Sequence, residues 1–333
     1  MNQKILTVSI AAYNVEDFIR DTLESLILEE PYRSKLDIIV VNDGSKDGTV
    51  AIAKEYADTY PECIRVIDKE NGGYGSTINA SLSVAMGRYY KLLDGDDWYD
   101  KSGLKSLLDY LDNTDADLII NPYYAVTEKK EFVAHHPEIP AKSVPITTLQ
   151  LNGLAWFKMH GLTVKTDAIR NYNHPITEKC FYTDFEFTFY CVMASQTISG
   201  FDQAVYCYRL GQENQSVGLL GIRKHYSDYK IVAERVFQCY CDSIHEIHGT
   251  KQIILEESVS FYTYCIFNAH MLLENPVMHR EELIAFDTMI KEKYPEAWKA
   301  GMKSRIVSCT RNLHFHFYGL ICSYMLWKLK SGK

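Results

Sequence analysis

Asp94-Gly95-Asp96-Asp97 sets three carboxylates within four residues. Hard oxygen ligands of this kind suit Mg²⁺ or Mn²⁺, usually shared with substrate phosphates. Gly95 between them lets the backbone approach a ligand closely. An Asp-x-Asp triplet alone is common in solvated turns, so its weight depends on its company. Upstream, Asn42-Asp43-Gly44-Ser45 offers Asp43 as an acceptor for a base imide or a ribose hydroxyl, with an Asx turn or helix cap as the competing reading. Asn71-Gly72-Gly73-Tyr74-Gly75 can turn main-chain N–H groups toward a phosphate or ribose, and a plain turn would read the same way.

These segments must be positioned by something, and the first hundred residues alternate strand and helix patterns. Ile5–Ala12 and Leu36–Val41 are short apolar runs suited to strands covered on both faces. Cys63–Ile67 and Arg88–Leu93 read as the third and fourth strands, with helices over residues 15–27, from Asp47 or Thr49 to Asp58, and over Ser76–Met86. Asn14, with Asp17 at the capping-box position, is expected to cap the first helix. Helical crossovers of this length imply right-handed connections and a mainly parallel sheet, whose ligands bind beyond the carboxyl ends of the strands. Each polar segment above follows one of these strands, so Asp43, Asp94, Asp96 and Asp97 are expected at one edge, where their repulsion favours a cation.

With those motifs in order, residues 5–100 resemble glycosyltransferase family 2, the inverting enzymes of the GT-A fold. The resemblance rests on Ser9-Ile10-Ala11-Ala12-Tyr13-Asn14, on Val40 through Thr49, on Asn71-Gly72-Gly73 with Asn79, and on Leu93-Asp94-Gly95-Asp96-Asp97. Ala11 stands where the family often has proline. The resemblance implies an α/β GT-A domain that binds a nucleotide-sugar along Ala12, Tyr13, Asn14, Asn71, Gly72, Gly73, Asn79 and Gly95. Within it, Asp43 would recognise the nucleoside, Asp94 would sit near the ribose or metal, and Asp96 would ligate Mn²⁺ or Mg²⁺.

The resemblance weakens toward residue 217. The family often carries its catalytic carboxylate in a Glu-Asp pair at a helix start. The similar segment here is Phe181-Tyr182-Thr183-Asp184-Phe185-Glu186-Phe187, where threonine replaces the first acid. Asp184 is then the implied base, Glu186 the fallback, and a helix-terminal acid favoured by the dipole the competing reading of Asp184. Tyr208-Arg209 and Gln215-Ser216-Val217 resemble the segment that closes over the donor, so Arg209 would meet the diphosphate or form a surface ion pair. UDP is the default nucleotide, and the implied acceptor is a saccharide or lipid-linked saccharide used for surface polysaccharide or glycoconjugate synthesis. The expected organisation is a catalytic domain over 1–220, with a donor half at 1–100 and an acceptor half at 101–220, followed by a helical region at 221–333.

Composition narrows the alternatives. The 333 residues are 47% apolar and 23% charged, which is ordinary for a globular chain. A net charge of −8 argues against nucleic acid as a partner. The first strand runs into Ala-Ala-Tyr-Asn rather than G-x-G-x-x-G, and no Walker A sequence is present, which disfavours dinucleotide-binding and P-loop enzymes. The nine cysteines lack zinc spacing and read as reduced thiols. No signal-peptide pattern opens the chain, and the expected location is cytoplasmic. From residue 301 onward there are six Lys/Arg and no acid, with a dense aromatic run over His314–Trp327. That segment reads either as an interfacial helix for anionic lipid, giving peripheral contact with the inner face of a membrane, or as a packed helix with a basic end. A non-catalytic saccharide-binding protein on the same fold and a nucleotidyltransferase are the competing functions.

Overall fold

The computed structural model describes residues 4–127, 131–134, 139–151, 157–211 and 218–331. Gln215, Ser216 and Val217 lie outside them. Two largely apolar runs form β1 (Leu6–Ala12) and β2 (Leu36–Asp43), and both are buried nearly throughout. Their burial on both faces is what selects β-branched and aliphatic residues there. With β3 (Ile64–Lys69) and β4 (Tyr89–Asp94) they make a parallel block in the order β3-β2-β1-β4. Helices α1 (Ile19–Glu24), α2 (Thr49–Thr59) and α3 (Tyr74–Val84) connect these strands. Registers pairing Ala12 with Asn42, Asp43 with Lys69 and Ala11 with Asp94 bring all four carboxyl ends to one edge.

Beyond β4 come β5 (Trp98–Tyr99), α4 (Lys101–Asn113), β6 (Leu118–Ile120), β7 (Tyr123–Val126), β8 (Glu131–Ala134), β9 (Val144–Pro145), β10 (Leu162–Lys165), α5 (Thr166–Tyr172), α6 (Thr183–Ala194), β11 (Thr197–Gly200) and β12 (Tyr206–Arg209). The main sheet continues as β4-β10-β6-β11-β9, with β10 antiparallel to both neighbours, and β5-β12-β7-β8 form a second sheet. β11 and β12, close in sequence, fall one in each sheet.

The expectation that Asn14 caps the first helix is corrected. Helix α1 begins only at Ile19, and neither Asn14 nor Asp17 supplies a side-chain cap. Asn14 instead takes a left-handed backbone with φ 53°, a conformation asparagine tolerates better than most residues. From there its N–H donates to Ser45 Oγ (3.0 Å) and its Oδ1 accepts from the Lys46 N–H (2.8 Å). The residue therefore ties the loop after β1 to the loop after β2.

The chain divides into two compact units, Met1–Gly153 with Phe157–Gly211, and Leu154–Trp156 with Gln212–Lys333. The second unit contains α7 (Leu219–Lys224), α8 (Asp228–Ser243), α9 (Gly249–Met271), α10 (Arg280–Lys293), α11 (Pro295–Gly301), α12 (Arg305–Asn312) and α13 (Tyr318–Ser331), with a 3-10 turn at Pro276–His279. Inside it Arg311 is almost fully buried and forms an ion pair with Asp287 at 2.6 Å, its guanidinium 4.5 Å from the Trp298 ring. Among the described residues no helix is long and apolar enough to cross a membrane.

In the first unit, segment 176–180 lies against the start of α3. Asn79 pairs with the Ile176 main chain in both directions, Nδ2 to O and N–H to Oδ1, each at 2.9 Å. Gly75 faces the Thr177 carbonyl oxygen so closely that any Cβ would collide with it. Gly75→Ala is therefore expected to destabilise the fold by about 1–3 kcal/mol through overpacking, read as a lower denaturation midpoint in urea at unchanged m-value.

Candidate active site

The acidic segment turns away from β4 through two main-chain bonds, Gly95 N–H to Ala11 O (3.0 Å) and Asp97 N–H to Asp94 O (3.1 Å). The Thr22 hydroxyl from α1 lies 2.9 and 2.7 Å from the Gly95 and Asp97 carbonyl oxygens. This turn crowds Asp94, Asp96 and Asp97 into a partly dry pocket, so each carboxylate needs donors. Asp94 Oδ1 accepts from the Tyr74 hydroxyl at 2.7 Å, a donor delivered by the first residue of α3. Asp97 is buried, with Oδ1 accepting from the Arg209 N–H and Oδ2 from the Tyr206 hydroxyl, both at 2.7 Å. Arg209 Nε donates to Asp96 O at 2.9 Å, and its guanidinium stacks 4.7 Å from Trp98 and 5.0 Å from Phe18. An Asp21 carboxylate oxygen lies 4.0 Å from it, so the cation sits on aromatic faces beside the acidic turn.

Those donors do not offset the loss of water. Burial raises the Asp94 pKa well above the usual carboxylate range, and the charges of Asp97 and Asp96 add to it. Burial likewise raises Asp96, against the pull of its own N–H and of Arg209. Asp97 is pushed up to about 7, by burial first and Asp96 second. Asp184, in the first turn of α6, is raised by burial too, with the N–H groups of Phe185 and Asp184 and the charge of Lys158 opposing. Asp184 also contributes to the field at Asp94 and at Tyr74, which puts it within electrostatic reach of the acidic turn.

A histidine completes the cluster. Ligand atoms of Asp94, Asp97 and His160 lie within 4.8 Å of one another. The His160 ring sits between Tyr123 and Tyr208, at 5.0 and 4.3 Å, with Tyr206 edge-on at 4.8 Å. Its carbonyl accepts from Lys91 Nζ at 2.9 Å, and the same ammonium donates to Leu162 O at 3.1 Å. Lys91 is wholly buried on β4, and burial alone lowers its pKa to about 7. His160 carries no sequence signal, because it belongs to a 3-10 turn in a stretch without periodicity and reaches the site only through the sheet.

The remaining expected residues fall into place unevenly. Asp43 is buried, and its carboxylate is saturated by Lys69 Nζ, Gly72 N–H and Gly73 N–H, each at 2.8 Å, and by Ser76 Oγ at 3.2 Å. Asn71 Nδ2 donates to Asp43 O at 2.9 Å. The two loops expected to meet the nucleotide are therefore bonded to each other. Ala12 is buried at the end of β1, while Tyr13 and Asn14 are exposed. Asn79, expected at the nucleotide-sugar, spends its amide on Ile176 and on Glu178, whose Oε1 accepts from Nδ2 at 3.1 Å. Glu186, the fallback base, is corrected to a structural residue. It is fully buried, with Oε2 accepting from the Thr177 N–H (2.9 Å) and Oε1 from the Tyr190 hydroxyl (3.1 Å).

Sequence comparisons fit this architecture. The profile described as Glycosyl transferase family 2 matches residues 7–180, more than half of the chain, and the chain belongs to that family. It is accordingly a glycosyltransferase that takes its sugar from a nucleotide-sugar with inversion. The uncharacterized glycosyltransferase YibD of Escherichia coli K12 is 26% identical over 347 aligned positions, covering 98% of this chain and 93% of that protein. The crystal structure of S. aureus TarS 1–349 in complex with UDP-GlcNAc aligns with a TM-score of 0.58 at 17% identity, over 93% of this chain and 92% of that one. Mannosyltransferase PcManGT from Pyrobaculum calidifontis, in complex with GDP-Man and Mn²⁺, aligns with a TM-score of 0.54 at 12% identity, over 98% and 86%. At such identities the likeness is one of fold, and the fold is GT-A.

The raised carboxylates carry a pH signature. Between the unfolded value near 3.8 and the folded value of about 7, folded Asp97 holds a proton that the unfolded chain has lost, so its contribution to stability falls as pH rises through that window. In EDTA, Asp97→Asn is expected to gain stability relative to the wild type between pH 5 and pH 8, measured as the difference between their urea midpoints. A difference that is flat or shrinks with pH would contradict this assignment.

Proposed function

We propose that the chain is a metal-dependent transferase that moves a sugar from a UDP-sugar to a saccharide hydroxyl, free or lipid-linked, in the synthesis of a surface polysaccharide or glycoconjugate. The observation that carries the metal part is the convergence of Asp94, Asp97 and His160 at the ligand edge of the sheet, with Asp96 in the same turn. Two carboxylates and one imidazole fit Mn²⁺ better than Mg²⁺, since magnesium favours all-oxygen shells. The burial-raised pKa values fit as well, because a bound cation favours the charged carboxylates that dehydration disfavours. When bound, such an ion would neutralise charge on the departing nucleoside diphosphate. The relatives in complex with UDP-GlcNAc and with GDP-Man and Mn²⁺ support a nucleotide-sugar donor and a divalent ion.

The chain's own residues divide the remaining work. Asp94, Asp96 and Asp97 form the acidic wall, with Tyr74 and Tyr206 fixing the carboxylates of Asp94 and Asp97. Asp43, Gly72 and Gly73 shape the nucleoside side, and Arg209, beside the turn, is the cation assigned to the diphosphate. Asp184 accepts the proton of the acceptor hydroxyl as its oxygen bonds to the anomeric carbon and the bond to the diphosphate oxygen breaks. Desolvation raises its basicity for that step. Attack opposite the leaving group inverts the anomeric configuration. Residues 1–220 are assigned to catalysis and 221–333 to a helical region, in the cytoplasm near the inner face of a membrane.

Thermal-shift titration with a panel of nucleotide-sugars and Mn²⁺ tests the donor side. Stabilisation should depend on the metal and should be lost in Asp94→Asn and Asp96→Asn. Asp184→Asn should keep that stabilisation while turnover drops by roughly 10²–10⁴-fold. Metal-independent stabilisation of the wild type would count against the metal site, and an undiminished rate in Asp184→Asn would remove it as base.

A further inference from the structure

Helix α13 has two apolar faces, one buried and one exposed. Tyr318, Cys322 and Met325 are buried, whereas Leu320, Tyr324 and Trp327 are 70%, 50% and 55% exposed. The exposed set recurs at helical spacing, which makes it a stripe rather than a scatter. Tyr324 and Trp327 stack on each other with ring centroids 6.1 Å apart. The stripe continues into Phe317 just before the helix, and Val277 and Met278 in the neighbouring 3-10 turn are 61% and 81% exposed. Gly319 at the start of α13 lies against that turn, with Val277 Cγ2 3.6 Å from where its Cβ would be. Ile306, Cys309, Leu320, Ile321 and Tyr324 line a shallow apolar cleft of about 280 Å³ between α12 and α13. Large exposed apolar residues are therefore concentrated in this corner of the second unit.

The charge around the stripe is sharper than the sequence count. Of the six basic residues after position 300, Arg311 is spent on buried Asp287, and Lys303 pairs with Glu256 at 2.6 Å. Arg305 and Lys328 are exposed, and Lys330 and Lys333 follow in sequence with no acid among them. A protein of net charge −8 thus keeps a local basic end beside an apolar aromatic stripe. An ordinary protein partner could match the apolar area, but clustered cations with Trp and Tyr at the edge of an apolar face match the headgroup boundary of an anionic bilayer. Among the described residues no helix is long and apolar enough to cross a bilayer, so the contact considered is in the plane of its surface.

We infer that the outer face of α13, with Phe317, Leu320, Tyr324 and Trp327 as apolar anchors and Arg305 and Lys328 as flanking cations, docks the protein on a membrane surface rich in anionic lipid. Docking of this kind is independent of the donor chemistry and can be measured without it. The full chain is sedimented with vesicles of phosphatidylcholine alone and with phosphatidylglycerol added, at low and high salt. Binding should appear only with the anionic lipid and weaken with salt. The triple variant Leu320→Ser/Tyr324→Ser/Trp327→Ser and the pair Arg305→Glu/Lys328→Glu should each lower the partition coefficient about tenfold or more. All five positions are exposed, so both variants should melt like the wild type and keep its rate of donor hydrolysis. No binding of the full chain to anionic vesicles overturns the inference, as does equal binding by the triple variant or by neutral vesicles. A concentration-dependent dimer that the triple variant abolishes, with no vesicle binding, would assign the face to a second copy of the chain instead.

Discussion

The arrangement depends on holding several carboxylates out of bulk water at the edge of one sheet. Asp94, Asp96, Asp97 and Asp184 have pKa values raised by burial, and the first three also act on one another. Such a cluster opposes folding unless its oxygens are supplied with donors. The supply comes from distant parts of the chain. Tyr74 opens α3, Tyr206 and Arg209 belong to β12 in the second sheet, and Thr22 to α1. Each of these elements has its position partly because an acidic oxygen or a carbonyl of the acidic turn is its partner. The second sheet is in this sense a clamp on residues 94–97 as much as a layer of the core.

A second set of bonds runs from the loop around Asp43 to the proposed base. Asp43 gathers Lys69, Gly72, Gly73 and Ser76. Lys179 N–H donates to Gly72 O, and Thr177 N–H to Glu186 on α6. Asn79 adds a two-way pairing to Ile176. Asp184 is thereby placed by a chain of main-chain and amide bonds that begins at the glycine loop. Glu186 serves Asp184 by fixing the helix on which it sits, two residues away and pointing into the core.

Much of the frame was legible in the sequence because it is local. The four parallel strands are short runs rich in apolar residues, and Asp43, the glycine loop and the acidic triplet lie at the ends of three of them. In the helical region, Gly249, Pro276 and Pro295 stand at the starts of α9, the 3-10 turn and α11. What could not be read depends on contacts between remote segments. Asn14 looks like a cap until the loop after β2 offers it Ser45 and Lys46. Glu186 looks like a spare acid until Thr177 and Tyr190 occupy both its oxygens. Arg311 counts as a surface charge until Asp287 and Trp298 enclose it. His160 sits in a segment without pattern, and its place beside Asp94 follows only from β10 pairing with β4.

Lys91 shows what such placement means for the range of sequences the fold accepts. Its ammonium is the donor shared by the His160 and Leu162 carbonyls in a site without water access. Methionine would match the apolar stem but strand both oxygens, at roughly 1–3 kcal/mol each. Arginine would bring a larger, forked head into a space shaped for one nitrogen. Glutamine would reach with a single amide and add an acceptor where another donor is needed. Position 91 is thus nearly closed to exchange on structural grounds alone, and in a mutational scan it would score with the acidic residues rather than with its neighbours on the strand.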